Sequence, residues 1–390
     1  MKEGWEYKKL GEVCGKCSNI KWDDVSNEAS YRYIDLTSVD RGDLHIHNPQ
    51  NIRKDNAPSR AKQIIKAGDV IFATTRPTLR RVSIIEEQYD GDICSTGFCV
   101  LRHNEVVKSR FVFYALLYDG FYKYIEPLQT GANYPAVTDN VVKNYIIPVP
   151  PLSEQQRIVD YLDSAFAKID AMKANAEKSL NEAKALFQAS LKEMLEPKEG
   201  TKWGTIGDLF ETYSGGTPTK SNKEYYEGGS IPWLRSGEVC QKEITETEMF
   251  ITEKGLKESS AKYYPENTVV VAMYGATAAQ VGILRIVSTS NQAVCGILPQ
   301  KDFLSEFIYY WFSSIEDKLA AQAQGGAQPN ISQQKIKKVE IPIYSITEQQ
   351  SIVATLDSLK SKVDRLQANF EKISQECDAL KQAILKQVFE

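Results

Sequence analysis

The sequence lacks several features that define common classes of protein. It has no run of apolar residues approaching the ~20 that a transmembrane helix needs, and the first residues, Met1–Trp5, contain no apolar signal core. Its seven cysteines are odd in number and scattered, which does not fit a disulfide framework. We therefore expect a reduced, cytoplasmic protein that spans no membrane.

Residues that often carry catalysis are also scarce. The three histidines, His45, His47 and His103, leave little for imidazole chemistry. Cys14 and Cys17, together with the first two histidines, have the ligand types of a zinc site. One thiol pair beside an irregular histidine pair is more often coincidence, so we predict no bound metal. The Gly-x-x-x-x-Gly-Lys-Ser/Thr loop that cradles ATP is missing.

What the sequence does contain is a repeat. Residues 147–156, Ile-Pro-Val-Pro-Pro-Leu-Ser-Glu-Gln-Gln, return at 341–350 as Ile-Pro-Ile-Tyr-Ser-Ile-Thr-Glu-Gln-Gln. The shift of 194 positions, close to half the chain, holds without a gap to the end of each long segment that follows. The preceding regions match more faintly, for example 69–85 with 268–284. This self-similarity predicts a chain built as one unit written twice.

Each unit consists of a globular module and a long helix. Short apolar runs separated by Gly, Asn and Pro turns, each followed by a short aromatic helix, predict an α+β module. Strands are predicted at 69–73, 82–85, 98–101, 269–273 and 281–284, and the aromatic helices at 110–118 and 306–314. The predicted segments are 1–150 for the first module, 151–198 for the first helix, 199–340 for the second module and 341–390 for the second helix.

Both long segments carry helical signals. Ser153 and Thr347 each stand three residues before a glutamine (Gln156, Gln350), as in a capping box. Apolar residues then recur at alternating spacings of four and three, the pattern of a coiled-coil seam. The later seam residues are small in the first helix and bulky in the second, so we expect the two helices to pair with each other. The seam residues are Ile158, Leu162, Ala165, Ile169, Met172, Ala176, Ser179, Ala183, Leu186, Ser190 and Met194, and then Ile352, Leu356, Leu359, Val363, Leu366, Phe370, Ile373, Cys377, Leu380, Ile384 and Val388.

Two equal halves of one chain are most simply related by a pseudo-two-fold axis. Such an axis makes the helices antiparallel and puts the modules at opposite ends, separated by the helix pair. Duplex DNA has a local two-fold symmetry that a protein of this kind matches, with one half-site for each module. The DNA between the two half-sites would then be a gap that neither module reads. Adding one heptad to both helices should lengthen this unread gap by about 10 Å, roughly three base pairs.

Three motifs carry a resemblance to a known family. Gly215-Gly-Thr-Pro-Thr-Lys220, Gly229-Ser-Ile-Pro-Trp-Leu234 and the Glu-Gln-Gln opening each helix resemble the specificity (S) subunit of Type I restriction–modification systems. The resemblance spans essentially the whole chain, as two target-recognition modules alternating with two helical repeats. The first module departs from the pattern, because Cys17-Ser-Asn-Ile20 stands near the position of Gly-Gly-Thr-Pro.

The resemblance implies a non-catalytic subunit that recognises double-stranded DNA. Two copies of an adenine methyltransferase (M) subunit would join it, and restriction/translocase (R) subunits would add ATP-dependent cleavage. S-adenosylmethionine, and ATP and Mg where restriction occurs, would belong to those partners. The chain lacks the Asn-Pro-Pro-Tyr-type tetrapeptide that holds the flipped base in such methyltransferases, which agrees with this division.

Two other functions stay open at this point. A coiled-coil scaffold whose modules bind proteins would show no sequence-dependent retention of DNA. A self-contained methyltransferase or nuclease would bind S-adenosylmethionine or nick DNA alone. The net charge of −4 is unusual for a DNA-binding protein, because phosphate contacts supply much of DNA affinity. We therefore expect the chain to bind DNA tightly only with its partners.

Candidate DNA-binding residues lie in turns, where a solvated loop without function is the alternative. In the first module, arginines suit phosphates or the guanine edge; in the second, amides suit adenine, and hydroxyls suit phosphates. The predicted residues are Arg60, Lys62, Thr75, Arg76, Arg80, Arg81, Asn133 and Tyr134 in the first module, and Thr217, Lys220, Tyr274, Thr277, Gln280, Gln328 and Asn330 in the second.

The helix openings are candidates for partner docking. A protein-binding surface used twice would require the same residues at both helix starts. Helix capping alone does not fully explain why Glu-Gln recurs there. The predicted partner-binding residues are Leu152, Glu154, Gln155 and Gln156, and then Ile346, Glu348, Gln349 and Gln350.

Overall fold

The computed structural model describes residues 4–322 and 330–390. Contacts divide the chain into two compact units: unit 1 is 1–176 with 370–390, and unit 2 is 177–369. Each unit therefore holds one module, the start of the helix that follows it and the end of the other long helix. None of the helices in the described residues combines the length and apolar composition needed to span a membrane.

The first half of the chain alternates short strands with short helices before one long helix. Its strands are β1 (Glu6–Lys9), β2 (Cys14–Gly15), β3 (Ser18–Asn19), β4 (Tyr31–Ile34), β5 (Gln50–Ile52), β6 (Ala61–Ile64), β7 (Val70–Ala73), β8 (Val82–Ile84), β9 (Ile93–Ser95), β10 (Phe98–His103) and β11 (Ile146–Val149). Its helices are α1 (Leu10–Val13), α2 (Ser109–Leu117), α3 (Asp119–Ile125), α4 (Asp139–Lys143) and α5 (Leu152–Leu195).

The second half repeats this order. Its strands are β12 (Lys202–Thr205), β13 (Thr212–Ser214), β14 (Ile231–Leu234), β15 (Glu243–Ile244), β16 (Phe250–Ile251), β17 (Val269–Ala272), β18 (Val281–Leu284), β19 (Thr289–Ser290), β20 (Val294–Ile297) and β21 (Glu340–Ile343). Its helices are α6 (Ile206–Leu209), α7 (Glu253–Lys257), α8 (Ser305–Ser314), α9 (Glu316–Ala320), α10 (Gln333–Lys337) and α11 (Ile346–Phe389). The predicted strands and aromatic helices form as β7, β8, β10, β17, β18, α2 and α8.

The described strands of unit 1 form sheets in the orders β1-β11, β2-β10-β7-β8 and β3-β6-β9-β4-β5. In unit 2 the orders are β12-β21, β13-β20-β17-β18-β15 and β16-β14-β19. In both units the ribbon that ends the module, β1-β11 or β12-β21, is antiparallel and leads directly into the long helix. The ribbon thus sets where each helix starts relative to its own module.

The central strands, β7 and β17, are apolar on both faces because they are buried on both. Val70 and Phe72 pack with α2, whereas the alternate residues Ile71 and Ala73 pack in a second cluster with Ile34. In unit 2, Val269 and Val271 likewise face one cluster while Val270 and Ala272 face another. Successive side chains of a strand point to opposite faces, so a continuous apolar run lies between two cores.

The two long helices pair antiparallel in unit 1. Asp170 of α5 accepts from Lys381 of α11 at 2.5 Å, and Lys173 lies 3.7 Å from Asp378. Residue numbers rise along one helix as they fall along the other, which defines the direction. In unit 2, Lys184 of α5 donates to Gln367 of α11 at 2.8 Å.

The predicted seam is correct early in each helix and wrong later. Four of its members are exposed: Met172, Ser179, Leu186 and Leu380. The buried residues that follow lie one position after the predicted ones: Leu180, Leu191, Leu195, Leu385 and Phe389. A straight helix drifts about 20° per heptad relative to a strict seven-residue repeat. Near the end of each helix the buried face is also the one that packs on a module: Leu191 and Leu195 lie in the core of the second module, and Leu385 and Phe389 lie in that of the first.

The predicted capping boxes are also corrected. The second helix begins at Ile346, and Ser345 is its cap: the Ser345 hydroxyl accepts from the Glu348 amide at 3.3 Å. The Ser345 amide in turn donates to the Glu348 carboxylate at 3.0 Å. In the first helix Pro151 takes the cap position, and its carbonyl accepts from the Glu154 amide at 2.9 Å. Ser153 and Thr347 therefore lie inside the first turn.

Candidate nucleic-acid interface

In each unit, two loops join beside the end of the central strand. In unit 1 these paired loops are residues 74–81 and 130–137, bridged at Thr75 and Ala136. The Val137 amide donates to the Thr74 carbonyl at 2.9 Å, and the Arg76 amide donates to the Pro135 carbonyl at 2.7 Å. These bonds fix the predicted residues of both loops in one place.

The paired loops of unit 2 are residues 273–280 and 330–331. Tyr274 bridges Asn330, and the Ile331 amide donates to the Met273 carbonyl at 2.8 Å. The sequence repeat thus recurs as a structural repeat, with the same two loops joined in the same way. The predicted residue Gln328 lies outside the described residues.

Two exposed side chains define the surface of the unit-1 paired loops. Arg76 has a left-handed backbone, with φ of +49°. Its guanidinium carbon lies 4.8 Å from the ring centroid of Tyr134, a residue that is 68% exposed. Asn133, next to Tyr134, is exposed as well, and Thr75, which is bridged to Ala136, is half-buried. The structure therefore brings four of the eight predicted residues of this module together.

Two neighbouring arginines are committed to contacts within the module. Arg80 forms an ion pair with Asp119 at 2.7 Å, and its guanidinium carbon lies 4.2 Å from the ring centroid of buried Tyr122. Arg81 donates to the Val39 carbonyl at 3.2 Å. Arg80 is exposed as Arg76 is, but both Arg80 and Arg81 make polar contacts within the module. Within the described residues, Arg76 is the member of this arginine group whose guanidinium forms no ion pair or hydrogen bond.

Arg60 and Lys62 are exposed at the start of β6 in the neighbouring sheet. The Arg60 carbonyl accepts from the Thr96 amide at 2.9 Å. The next residue, Gly97, accepts at its carbonyl from the Thr74 amide at 2.8 Å. The backbone therefore links Arg60 to the base of the paired loops through one intervening loop.

The unit-2 paired loops present hydroxyl and amide groups. Tyr274 is exposed, and the Thr277 hydroxyl donates to the Tyr274 carbonyl at 3.4 Å. Asn330 is exposed beside them. The Oε1 atom of Gln280 is buried and accepts no hydrogen bond within residues 4–322 and 330–390. Burying an amide oxygen without a hydrogen-bond donor costs free energy. The Gln280 side chain therefore retains an acceptor that has no partner within the described residues.

The Gly-Gly-Thr-Pro loop of unit 2 is packed against its own module. A side chain at Gly216 would meet the Ala261 amide nitrogen at 2.3 Å, so the close approach requires glycine. The indole of buried Trp233 donates to the Gly216 carbonyl at 2.9 Å. Thr217 donates to Gln292, and Lys220 is exposed at the end of the loop. Thr219 and Lys220, at the end of the loop, are thus the loop residues that face solvent.

The middle glutamine of Glu-Gln-Gln, Gln155 or Gln349, joins the start of each long helix to its own module through buried hydrogen bonds. We call this arrangement a lock; it does not leave the glutamine exposed for docking. Gln155 is completely buried; its Oε1 accepts from the Lys108 amide at 2.9 Å, and its Nε2 donates to the carbonyls of Val106 and Pro150. Gln349 is also completely buried. The prediction of partner binding is therefore wrong for these two residues, because every polar atom of the side chain already has a partner.

Gln349 repeats these bonds one for one. Its Oε1 accepts from the Leu304 amide at 2.8 Å, and its Nε2 donates to the carbonyls of Asp302 and Tyr344, each at 2.9 Å. Each lock ties the first turn of a long helix to the loop before the aromatic helix of its module. The repeated Glu-Gln-Gln is thereby explained in part by packing.

The other predicted docking residues stay a prediction. Leu152, Gln156 and Gln350 are exposed, and Ile346 is half-buried. Glu154 pairs with Arg157 at 2.7 Å, and Gln156 donates to Asp160 at 2.7 Å. Hydrogen bonding from the Ser345 hydroxyl lowers the pKa of exposed Glu348.

A second repeated cluster was not predicted from the sequence. In unit 1 Asp163 of α5 accepts from the hydroxyl of Tyr114, and Arg110 pairs with it at 2.6 Å. In unit 2 Asp357 of α11 accepts from the hydroxyl of Tyr310 at 2.5 Å and pairs with Lys242. The two aspartates are 194 residues apart, the shift of the repeat, which is the signal that could have revealed them.

The residues with zinc-ligand types have other partners. Burial raises the pKa of Cys14 to about 12, which disfavours the thiolate that zinc requires. His45 lies 3.3 Å from Glu86, and His47 lies 2.7 Å from Asp43. Within the residues that the structure describes, no three His, Cys, Asp or Glu side chains are grouped to hold a metal ion.

The paired loops, their repetition and the two long helices define a protein with two recognition modules. The family described as "Type I restriction modification DNA specificity domain" matches residues 2–182 and 198–375. The chain belongs to this family and carries its domain twice. The predicted family, the DNA-specificity role and the α+β fold class with an antiparallel pair of long helices are confirmed.

Individual relatives agree with this assignment. The Escherichia coli EcoR124I/EcoR124II specificity subunit is 31% identical over 216 residues, 54% of this chain and 52% of that protein, so this alignment spans about half of that relative. The Haemophilus influenzae HindI specificity subunit is 24% identical over 82% of this chain and 87% of its own length.

Two solved structures are similar over the whole chain. A study of complex assembly and conformational transition of the type I R-M system provides one, with a TM-score of 0.86 and 28% identity over 100% of this chain and 98% of that one. The HsdS subunit from Thermoanaerobacter tengcongensis has a TM-score of 0.64 and 27% identity, over 100% of this chain and 97% of its own.

Proposed function

We propose that the chain reads a bipartite, asymmetric DNA sequence as the specificity subunit of a Type I complex. One observation carries the proposal: both modules have the same paired loops, but the exposed side chains on them differ. Unit 1 presents Arg76, Asn133 and Tyr134, whereas unit 2 presents Tyr274 and Asn330. Two modules that recognise different half-sites require the same loop backbone with different exposed side chains.

The side chains divide by the DNA groups that they suit. The guanidinium of Arg76 suits the O6 and N7 acceptors of guanine, and the amide of exposed Asn330 suits adenine. Exposed Lys62 and Lys220 suit phosphates, which position a protein without specifying sequence.

The proposal assigns catalysis to partner subunits. Two copies of an adenine methyltransferase subunit would bind the repeated surface at the helix openings, centred on Leu152 and Gln156 in one unit and on Ile346 and Gln350 in the other. Restriction subunits would join where cleavage occurs. S-adenosylmethionine, ATP and Mg would be bound by these partners. Since the proposed target is cellular DNA, we place the chain in the cytoplasm.

Mapping of methylated adenines tests the proposal directly. The genome of cells that carry the partner methyltransferase is sequenced with the chain present, absent, or with its second module replaced by that of another specificity subunit. We expect a two-part motif only when the chain is present, and a change confined to one part after the replacement. Identical methylation without the chain, or no motif with it, would refute the proposal.

A further inference from the structure

At one position of the paired loops the two modules have the same backbone conformation but different residues. Residues 69–85 align with 268–284, which puts Arg76 opposite Gly275. Both have left-handed backbones, with φ of +49° and +76°. Glycine adopts this conformation without strain, whereas a residue with a side chain is strained there. The loop can therefore be built with glycine, and unit 1 places an arginine in it instead.

The surroundings of Arg76 hold that strained conformation. Its amide is bonded to the Pro135 carbonyl at 2.7 Å, within the bridge between the two loops. A side chain at Gly131 would come within 2.9 Å of the Tyr134 carbonyl, so the loop that carries Tyr134 is closely folded. Strained residues that are fixed by their surroundings concentrate at functional sites.

The arginine four residues later shows the contrast. Arg80 also has a left-handed backbone and aligns with Ala279, whose φ is +78°. Arg80, however, is paired with Asp119, and its guanidinium covers the ring of Tyr122. Within residues 4–322 and 330–390, the guanidinium of Arg76 contacts the Tyr134 ring and forms no hydrogen bond or ion pair. Its donors are therefore available to a ligand.

The Tyr134 ring determines how those donors are presented. A guanidinium over an aromatic face is held by a cation–π contact, which leaves the N–H groups along its edge free. A planar, pre-oriented pair of donors matches two acceptors in one plane, such as O6 and N7 of guanine. Because Tyr134 is itself mostly exposed, the pair stands at the surface of the module.

A phosphate is the other ligand that suits a guanidinium edge. Phosphates occur at every step of both half-sites, so a phosphate contact at this position would serve both modules equally. Bases differ between the half-sites, and the second module has glycine here. The difference between the two modules therefore favours a base over a phosphate.

We propose that Arg76, held by Tyr134, is a specificity-determining residue that reads one guanine in the half-site of the first module. This inference rests on the proposed function of the chain as a DNA reader. It predicts that the module-1 half-site contains a guanine whose major-groove edge is required, and that Gly275 leaves the second half-site without this contact.

The first experiment maps methylation by the full complex with the variants Arg76→Gln and Arg76→Gly. We expect one guanine of the motif to become any base, while the other positions and the gap are retained. Arg53→Gln, at an exposed arginine outside the paired loops, is the matched control and should leave the motif unchanged. Arg76→Gly also removes backbone strain, so it keeps the test valid if Arg76→Gln folds poorly.

The second experiment measures binding of the purified complex to duplexes with 7-deazaguanine at that position, which lacks the N7 acceptor. We expect the wild-type complex to lose about tenfold to a hundredfold in affinity, and the Arg76→Gly complex to be insensitive to the change. Tyr134→Phe should keep the discrimination, and Tyr134→Ala should reduce it, because only the ring is needed to orient the guanidinium.

The outcomes distinguish failure of the proposed function from failure of the inference about Arg76. No two-part motif with the wild-type chain contradicts the proposed function itself. A two-part motif that is unchanged in Arg76→Gln, or that lacks a guanine in the first half-site, overturns only the inference about Arg76. Weaker methylation at every site with the same motif would identify a phosphate contact and overturn it as well.

Discussion

The two modules agree where each meets its long helix and differ where each presents its paired loops. Gln155 and Gln349 make the same three hydrogen bonds, and Tyr114 and Tyr310 each donate to an aspartate of the helix. The loops, by contrast, carry Arg76 in one module and Gly275 in the other. Both modules attach to their long helix through the same contacts, whereas the exposed side chains of the paired loops differ between them.

This contrast indicates which residues set geometry and which set sequence preference. A change at the attachment should have the same effect in either unit, because the bonds are equivalent. A change in the loops should affect one unit alone.

Replacing the buried glutamine of either lock should be severe. In Gln155→Leu, one amide and two carbonyls (those of Lys108, Val106 and Pro150) lose their partner in a buried site. Each unsatisfied group costs about 1–3 kcal/mol, so we expect a loss of about 3–5 kcal/mol in the free energy of unfolding of unit 1. Gln349→Leu should cost unit 2 the same. Hydrogen exchange followed by mass spectrometry measures both losses in the full chain.

The adjacent glutamine provides the control. Gln156 and Gln350 are exposed, so their replacement by Leu should change stability by no more than about 0.5 kcal/mol. If Gln155→Leu and Gln156→Leu were equally mild, the lock would contribute nothing and the docking interpretation of Gln155 would return.

The sequence predicted the fold better than the roles of individual side chains. The central strands were identifiable because burial on both faces leaves a continuous apolar run, as in Val70–Ala73. The role of Gln155 was not, because two of its three partners, Lys108 and Val106, lie in a loop more than 40 residues away. Arg76 and Arg80 are alike in sequence, and only the folded position of Asp119 separates a free arginine from a paired one.

Alkaline pH should affect unit 1 more than unit 2. Burial raises the pKa of Cys14, Cys94 and Cys99 in unit 1, and the pKa of Cys295 in unit 2. A thiol whose folded pKa exceeds its ordinary value near 9 contributes full stability below pH 9 and loses it as the pH rises further. The loss is about 1.4 kcal/mol per thiol for each pH unit. Even without half-buried Cys17, whose pKa is also raised in unit 1, three thiols against one make a difference of about 3 kcal/mol at pH 10.

Subtilisin digestion across a urea series, at pH 8 and pH 10, measures this difference. Peptides identified by mass spectrometry report each unit separately within the intact chain. Cys14→Ala should remove about half of the extra sensitivity of unit 1. Equal shifts of the two units would show that the buried thiols do not control alkaline unfolding.

The tyrosine–aspartate contact should matter equally in both units. Asp163→Ala leaves the largely buried hydroxyl of Tyr114 without its acceptor, and Asp357→Ala does the same to Tyr310. We expect each to lose about 2 kcal/mol in the free energy of unfolding. Adding Tyr114→Phe to Asp163→Ala should cost little more, because the two side chains act as a pair.

A double-mutant cycle by urea unfolding measures that coupling, with hydrogen exchange to assign it to a unit. Asp364→Ala is the control, since Asp364 forms an exposed ion pair with Lys360 on the same helix. Such pairs contribute about 0.3–0.5 kcal/mol. Additive losses at Asp163 and Tyr114 would mean that the hydroxyl is satisfied in another way.

The smallest effect concerns the backbone at the position where the modules differ. Gly275→Ala adds a side chain that meets no atom of residues 4–322 and 330–390 within 4 Å, so the strain at φ of +76° is what opposes it there. We expect a loss of about 1 kcal/mol in unit 2, and a gain of similar size in unit 1 for Arg76→Gly. Gly237→Ala, also in open space but without a positive φ, should be neutral or slightly stabilising. Urea unfolding with hydrogen exchange measures all three, and a stability loss in Arg76→Gly would show that the arginine supports the fold instead of straining it.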